Sequence, residues 1–170
     1  VTEAVRMSQI DAGKVRLERN ALAMEDLLEP AISSFGSRAD GRIERLSTSA
    51  GRIHVDREMM LLALRQLIDN SLKYAPPASP IRVWADGRDD RIVIHVADQG
   101  PGIPEPDRER IFEKFYRRQK LRDKVPGSGL GLHIAREIAR MHGGDLWVDA
   151  SEAGGSEFCL AVPRLIEAAA

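Results

Sequence analysis

The 170-residue sequence predicts an α+β fold: a two-layer sandwich with helices on one face of a mixed, largely antiparallel sheet. Three observations lead there. Apolar residues recur at helical spacing in four segments and alternate in shorter ones between them. The strand patterns "IRVWAD" (81–86) and "RIVIHVAD" (91–98) are separated only by "GRDD", which is hairpin spacing. "DLWVDA" (145–150) and "SEFCLAVP" (156–163) then close the chain as two further strands.

The elements follow in order. Residues 1–12, "VTEAVRMSQIDA", have helical spacing through Val1, Val5, Met7 and Ile10, and Gly13 suits the stop. "KVRLERNALA" (14–23) alternates Val15 and Leu17 and predicts a strand. "MEDLLEPAISSFGS" (24–37) predicts a helix ending near Gly36, with Pro30 required to fall early in it. "RIERLST" (42–48) and "RIHV" (52–55) are short strands. Asp56 is a suitable N-cap for a helix over 57–74, which Pro76 and Pro77 stop. After the hairpin, residues 100–129 are rich in Pro, Gly and charge, and so long an irregular stretch in a compact domain is more often functional than passive. A last helix runs over 130–142, with Ile134, Ile138, Ala135 and Met141 on its apolar face and Gly143-Gly144 at its end.

Composition narrows the function classes. The apolar fraction is 43% and the charged fraction 30%, ordinary for a globular protein, and the net charge of −1 argues against nucleic acid as a partner. The lone Cys159 excludes an internal disulfide and suits a reducing compartment. No apolar run approaches the ~20 residues that span a bilayer. The expectation is one cytoplasmic domain, and a start at Val1 suits a piece of something longer.

Three constellations carry chemistry. Gln66, Asn70 and Lys73 share one face of the 57–74 helix, while Leu64, Leu67, Ile68 and Ser71 can face the sheet. An Asn oxygen suits Mg²⁺, and a lysine one turn on reaches the same phosphates; a solvated polar stripe would look the same. Asp98, in "ADQGPGIP", shares the parity of Ile92, Ile94 and Val96 and so points to their side of the sheet. There a carboxylate needs a donor, which a nucleobase amino group would supply; plain turn chemistry would also explain the stretch. "PGSGLGLHIAR" places Gly127, Gly129 and Gly131 at a helix start, where free N–H groups favour anions. Its spacing fits neither the dinucleotide fingerprint nor the P-loop. Lys114, Arg117, Arg118, Lys120, Arg122 and Lys124 face a single acid, Asp123, in the preceding stretch, a patch suited to polyphosphate or to a solvated loop.

Together and in this order, "QLIDNSLKYAP", "DQGPGI", "IFEKFYR", "GSGLGL" and the closing "GGSEFCLAVP" resemble the N box, the first glycine-rich box, the F box, the second glycine-rich box and the last strand of the catalytic ATP-binding domain of sensor histidine kinases. That is the Bergerat-type fold shared with gyrase, Hsp90 and MutL. The resemblance implies ATP and Mg²⁺ as ligands. Asn70 would coordinate Mg²⁺, Lys73 would contact phosphate and Tyr74 would pack on the nucleotide. Asp98 would accept from the adenine amino group in a pocket shaped by Gly100, Gly102 and Ile103. A lid over about 102–127 would be tethered by Phe112 and Phe115, with Arg117 near the phosphates. Gly127, Ser128, Gly129, Leu130, Gly131 and Leu132 would cradle them, and Ser156 would sit near the adenine.

The resemblance further implies that 1–13 end a dimerisation helix and linker, that 14–165 form the catalytic domain, and that 166–170 are a tail. The partners would be a histidine-bearing dimerisation domain of the same homodimeric parent and a response-regulator receiver domain. None of the four histidines, His54, His95, His133 and His142, has the sequence context of the phosphoacceptor, and His142 near a helix C-terminus suits a cation. Two positions depart from the family. Gln66 stands where these kinases usually have Asn and where the hydrolytic relatives have a glutamate base, which argues against an ATP hydrolase. Ala153 replaces the first glycine of the closing motif. The remnant helix argues against an anti-sigma-type serine kinase.

Overall fold

The computed structural model describes residues 2–117 and 127–166. Its elements are α1 (Glu3–Asp11), β1 (Arg19–Ala23), α2 (Glu25–Ser33), β2 (Ile43–Arg45), β3 (Arg52–Asp56), α3 (Arg57–Tyr74), β4 (Ile81–Arg88), β5 (Arg91–Ala97), α4 (Gly131–Met141), β6 (Asp145–Ala150) and β7 (Ser156–Pro163). Five strands form the main sheet in the order β2-β4-β5-β7-β6, with β2 parallel to β4 and every other pair antiparallel. β1 and β3 make a separate antiparallel pair. The expected mixed, largely antiparallel sandwich is therefore present, with one small second sheet.

Strand parity divides the sheet's two faces. Ile81, Val83, Ile92, Ile94, Val96, Leu146, Phe158, Leu160 and Val162 join one core with the helices. Val93, Cys159 and Ala161 lie on the opposite face, with Trp147 against them. α3 supplies the largest helical share of the core, burying Met59, Met60, Leu61, Leu64, Leu67, Ile68 and Ser71. Each large apolar side chain there stabilises by about 1.5–3 kcal/mol relative to exposure. Its start follows from Asp56, whose Oδ1 accepts from the Met59 N–H at 3.1 Å. Ala75, just past its end, turns to extended backbone ahead of Pro76.

Several predicted bounds shift, each for a local reason. The strand expected over 14–23 begins only at Arg19, where its pairing with β3 starts at Asp56; Val15 and Leu17 still pack half-buried on the core. The helix expected over 24–37 stops at Ser33 and gives way to a 3-10 turn over Gly36–Ala39. Pro30 is its sixth residue, not an early one. The carbonyl it leaves unbonded belongs to Asp26, which is exposed and open to water. Only Ile43–Arg45 of the "RIERLST" stretch forms strand, and the β4–β5 turn narrows to Asp89-Asp90. Leu130 and His142 are the caps of α4 rather than members of it.

Candidate functional site

One cavity, open to solvent, lies on the helical side between α3, the end of β5 and the start of α4. α3 contributes Gln66, Asp69, Asn70, Lys73 and Tyr74 to its wall, on the stripe opposite its sheet-facing leucines. The Asn70 side chain makes no hydrogen bond among the described residues, so its amide is available to a ligand. Lys73 instead pairs with Asp69, Nζ to Oδ2 at 2.8 Å, the next turn of the same helix. Asp69 also accepts from Arg38 at 3.0 Å.

Asp98 forms the floor. It follows β5 on the helical side, as its parity predicts, and is 5% exposed. Its Oδ2 accepts from Ser71 Oγ at 3.0 Å, and its Oδ1 accepts from the N–H groups of Gly100 at 2.9 Å and Ser156 at 3.1 Å. Three donors offset the cost of burying this carboxylate. They also fix its orientation at the cavity wall, where Pro101, Gly102, Ile103 and Ser156 surround it. The neighbouring Gly155 has no room for a Cβ, which would run into the Asp98 carbonyl. That crowding makes Gly155 the demanding position of the closing motif, and Ala153 two residues earlier is exposed.

The opposite end belongs to the glycine-rich turn. Gly127, Ser128, Gly129, Gly131 and Leu132 line the cavity where α4 begins, so the unpaired N–H groups of its first turn open towards it. Gly129 sits at φ +76° with its Cα against the Phe115 backbone, where a side chain would lie 2.8 Å from Phe115 Cα. The Phe115 N–H donates to the Gly129 carbonyl at 2.9 Å, which ties the two segments. Ser128 Oγ accepts from the Leu130 N–H at 3.2 Å and donates to the Glu3 carboxylate.

Beside the start of α4, Phe112 is buried edge-on to Phe158, with ring centroids 6.5 Å apart. The Arg136 guanidinium lies 4.8 Å over the Phe112 ring and bonds Glu109 at 2.8 Å and Asp145 at 3.1 Å. Hydrogen bonding to Arg136 holds the Glu109 carboxyl below its usual value and raises Arg136 in turn.

Fourteen of the expected site residues thus line one cavity, and three do not. Phe115 is 66% exposed and contributes backbone rather than a ring, because its left-handed backbone turns the side chain outwards. Leu130 is buried in the core as the residue before α4, and Gly100 lies behind Asp98. Arg118, Lys120, Arg122, Asp123 and Lys124 fall outside the described residues. Five lining residues carried no expectation: Glu3, Asp69, Pro101, Ile111 and Tyr116. Asp69 was detectable as an acid four residues before Lys73. Glu3 was not. The His142 expectation is overturned: it is buried, its Nε2 accepts from the Asp56 N–H at 3.0 Å, and its Nδ1 bonds the Ile138 carbonyl at 2.8 Å. Burial pushes its pKa down despite the helix end, so it is neutral.

A two-layer sandwich carrying an amide, a lysine, a buried carboxylate and a glycine-rich helix start around one cavity is built for an anionic ligand with a hydrogen-bonding head. Comparison with known proteins gives the family. Residues 55–166 match the family of histidine kinase-, DNA gyrase B- and HSP90-like ATPases, and the chain belongs to it. It is 33% identical over 172 residues to the sensor-like histidine kinase SenX3 of Mycobacterium tuberculosis (strain ATCC 25618 / H37Rv), covering 99% of this chain and 42% of that protein. It is 30% identical over 169 residues to the sensor histidine kinase WalK of Bacillus subtilis (strain 168), covering 96% and 28%. The chain therefore spans less than half the length of these relatives. Among solved structures it superposes on the mycobacterial sensor histidine kinase MprB with TM-score 0.74 at 28% identity, covering 86% of this chain and 98% of that one. With full-length ShkA in complex with AMPPNP the TM-score is 0.83 at 27% identity, covering 98% and 35%.

Proposed function

We propose that this chain is the catalytic unit of a two-component sensor histidine kinase, binding Mg²⁺·ATP and passing the γ-phosphate to a histidine on a dimerisation domain of the same parent. The observation that carries this reading is the convergence of Asn70, Lys73, Asp98 and the Gly127–Gly131 turn on one cavity. The residues fit both ligands. Asp98 presents an acceptor at the enclosed end, where an adenine amino group would complete its shell. The α4 N-terminus and Lys73 suit phosphates at the other end. Asn70 supplies one hard oxygen, in keeping with a metal that keeps phosphates and waters as its remaining ligands. Bound Mg²⁺ would supply charge neutralisation on the phosphates.

The chain's own part is positioning. Its polar atoms orient the triphosphate, and Ile103, Ile111, Tyr74 and Tyr116 exclude water from the base. Gln66 cannot take a proton, and its amide donates to Glu3 at 3.3 Å, so no base for water stands at that position. On this reading α1 ends the dimerisation helix, and residues 14–165 are the catalytic domain with a lid over about 102–127. A response regulator receiver domain would accept the phosphate in turn, in a homodimeric parent working at the cytoplasmic side. No helix among the described residues is long and apolar enough to cross a membrane.

The test mixes this chain with γ-labelled ATP, alone and with a histidine-bearing dimerisation domain. Label on the histidine domain alone, lost in Asn70→Ala, is expected. Label on this chain, or steady phosphate release on the order of 1 s⁻¹, overturns the reading.

A further inference from the structure

The sheet face turned away from the cavity carries a second polar cluster that the kinase reading does not use. Strand register aligns Trp84, His95, Cys159 and Trp147 in one row across β4, β5, β7 and β6. Asp86 and Glu157 sit one pleat to either side on the same face. His95 is 4% exposed, and its ring stacks on Trp84 with centroids 4.7 Å apart and planes 5° from parallel, which fixes its orientation. Cys159 is equally buried, and Glu157 opens partly to solvent.

Three donor atoms converge there. His95 Nδ1 lies 3.3 Å from Glu157 Oε2 and 3.6 Å from Cys159 Sγ, and that sulfur lies 3.6 Å from the same carboxylate oxygen. A tetrahedral zinc ion, about 2.0–2.1 Å from imidazole nitrogen and carboxylate oxygen and about 2.3 Å from sulfur, sets ligand separations of about 3.4 Å for N to O and about 3.6 Å for either to S. The triangle already has those edges. His95, Glu157 and Cys159 are the one set of His, Cys and acidic side chains among the described residues with such convergence.

The other ring nitrogen gives independent support. His95 Nε2 is buried without a hydrogen-bond partner, and the nearest charge is Asp86 Oδ2 at 3.4 Å. On the other side of the ring Nδ1 faces the Glu157 oxygen and the Cys159 sulfur, three potential ligand atoms that a cation between them would bridge. A carboxylate behind a ligating imidazole is the usual support for a metal-bound histidine.

We propose that this outer sheet face is a divalent transition-metal site, suited to zinc, with His95 Nδ1, Glu157 Oε2 and Cys159 Sγ as ligands, Asp86 orienting the imidazole, and solvent completing the shell. The mixed nitrogen, sulfur and oxygen set favours zinc or cobalt over magnesium. It lies across the sheet from the cavity that takes Mg²⁺·ATP, so the two sites are separable. Thiolate ligation by Cys159 displaces its proton to solvent, so binding should strengthen as pH rises.

Cobalt(II) titration of the 170-residue chain tests this directly. Cys159 is the chain's one cysteine, so a thiolate-to-cobalt charge-transfer band can come from nowhere else. The expected result is that band with tetrahedral d–d absorption at one equivalent, reversed by zinc. Both should persist in Asn70→Ala and disappear in Cys159→Ser. Zinc competition against a chromophoric chelator should show ten- to hundred-fold weaker binding in Asp86→Asn. Glu157→Gln, at a partly exposed position, gives a second ligand variant should Cys159→Ser fold poorly, with circular dichroism reporting the fold. Cobalt bound without the thiolate band, no binding at all, or zinc affinity unchanged in the folded ligand variants overturns the proposal.

Discussion

Ser71 Oγ donates to Asp98 Oδ2 at 3.0 Å, joining the sheet-facing side of α3 to the end of β5 at the floor of the cavity. This bond, with the Gly100 and Ser156 N–H groups, holds a carboxylate that is almost wholly buried. Asp98→Asn places an NH₂ group against existing donors. It should lower stability by about 1–3 kcal/mol and nucleotide affinity by at least tenfold, measured by thermal melting and calorimetric titration with an ATP analogue. Ser71→Ala removes one of the three donors and should cost about 1 kcal/mol.

Glu3 of α1 bridges Gln66 and Ser128, so a carboxylate stands at the end of the cavity that suits phosphates. A triphosphate entering there meets like charge and must displace or share those donors. Glu3→Ala should therefore raise affinity for ATP several-fold and for adenosine hardly at all. Parallel titrations with both ligands check this, and equal changes for both would show that Glu3 acts on the fold rather than on the phosphate end.

Arg136 is nearly buried between Glu109 and Asp145, with its guanidinium on the Phe112 ring. Both acids are well exposed, so they rehydrate when the arginine is lost, and packing on the Phe112 ring is the main casualty. Arg136→Met should cost about 1–2 kcal/mol, a fall of roughly 2–8 °C in melting temperature for a chain of this size. Removing the guanidinium should also let the Glu109 pKa rise, visible by carboxyl NMR.

His142 is held neutral by burial, with its pKa below the usual value. A depressed folded pKa means that the unfolded chain binds the proton first. The stability contribution is complete above about pH 6.5 and falls as pH drops from there through the folded pKa. Melting temperature should decline over that interval, and His142→Gln should flatten the decline while lowering stability at neutral pH.

Much of the site could be read from spacing. Alternation along β5 placed Asp98 on the helical side, and three- and four-residue spacing placed Gln66, Asn70 and Lys73 opposite the leucines that α3 buries. These are local periodicities, set by strand pleat and helical pitch, and they survive any rearrangement of neighbours. Ring placement at Phe115 was not legible, because one left-handed residue reverses a side chain that the apolar pattern would bury.

The sequence by itself determined the helix and strand faces, the hairpins and the order of the four boxes, since each rests on contacts within a few residues. Only the tertiary structure decided that β2 runs parallel to β4, that β1 pairs with β3 apart from the main sheet, and that Glu3 reaches Ser128 from 125 residues away. It also decided that His142 is neutral and that His95 meets Glu157 and Cys159 across two strands. Pairing between distant segments depends on which buried faces and unmet donors remain once the whole chain has packed, and no local pattern records that choice.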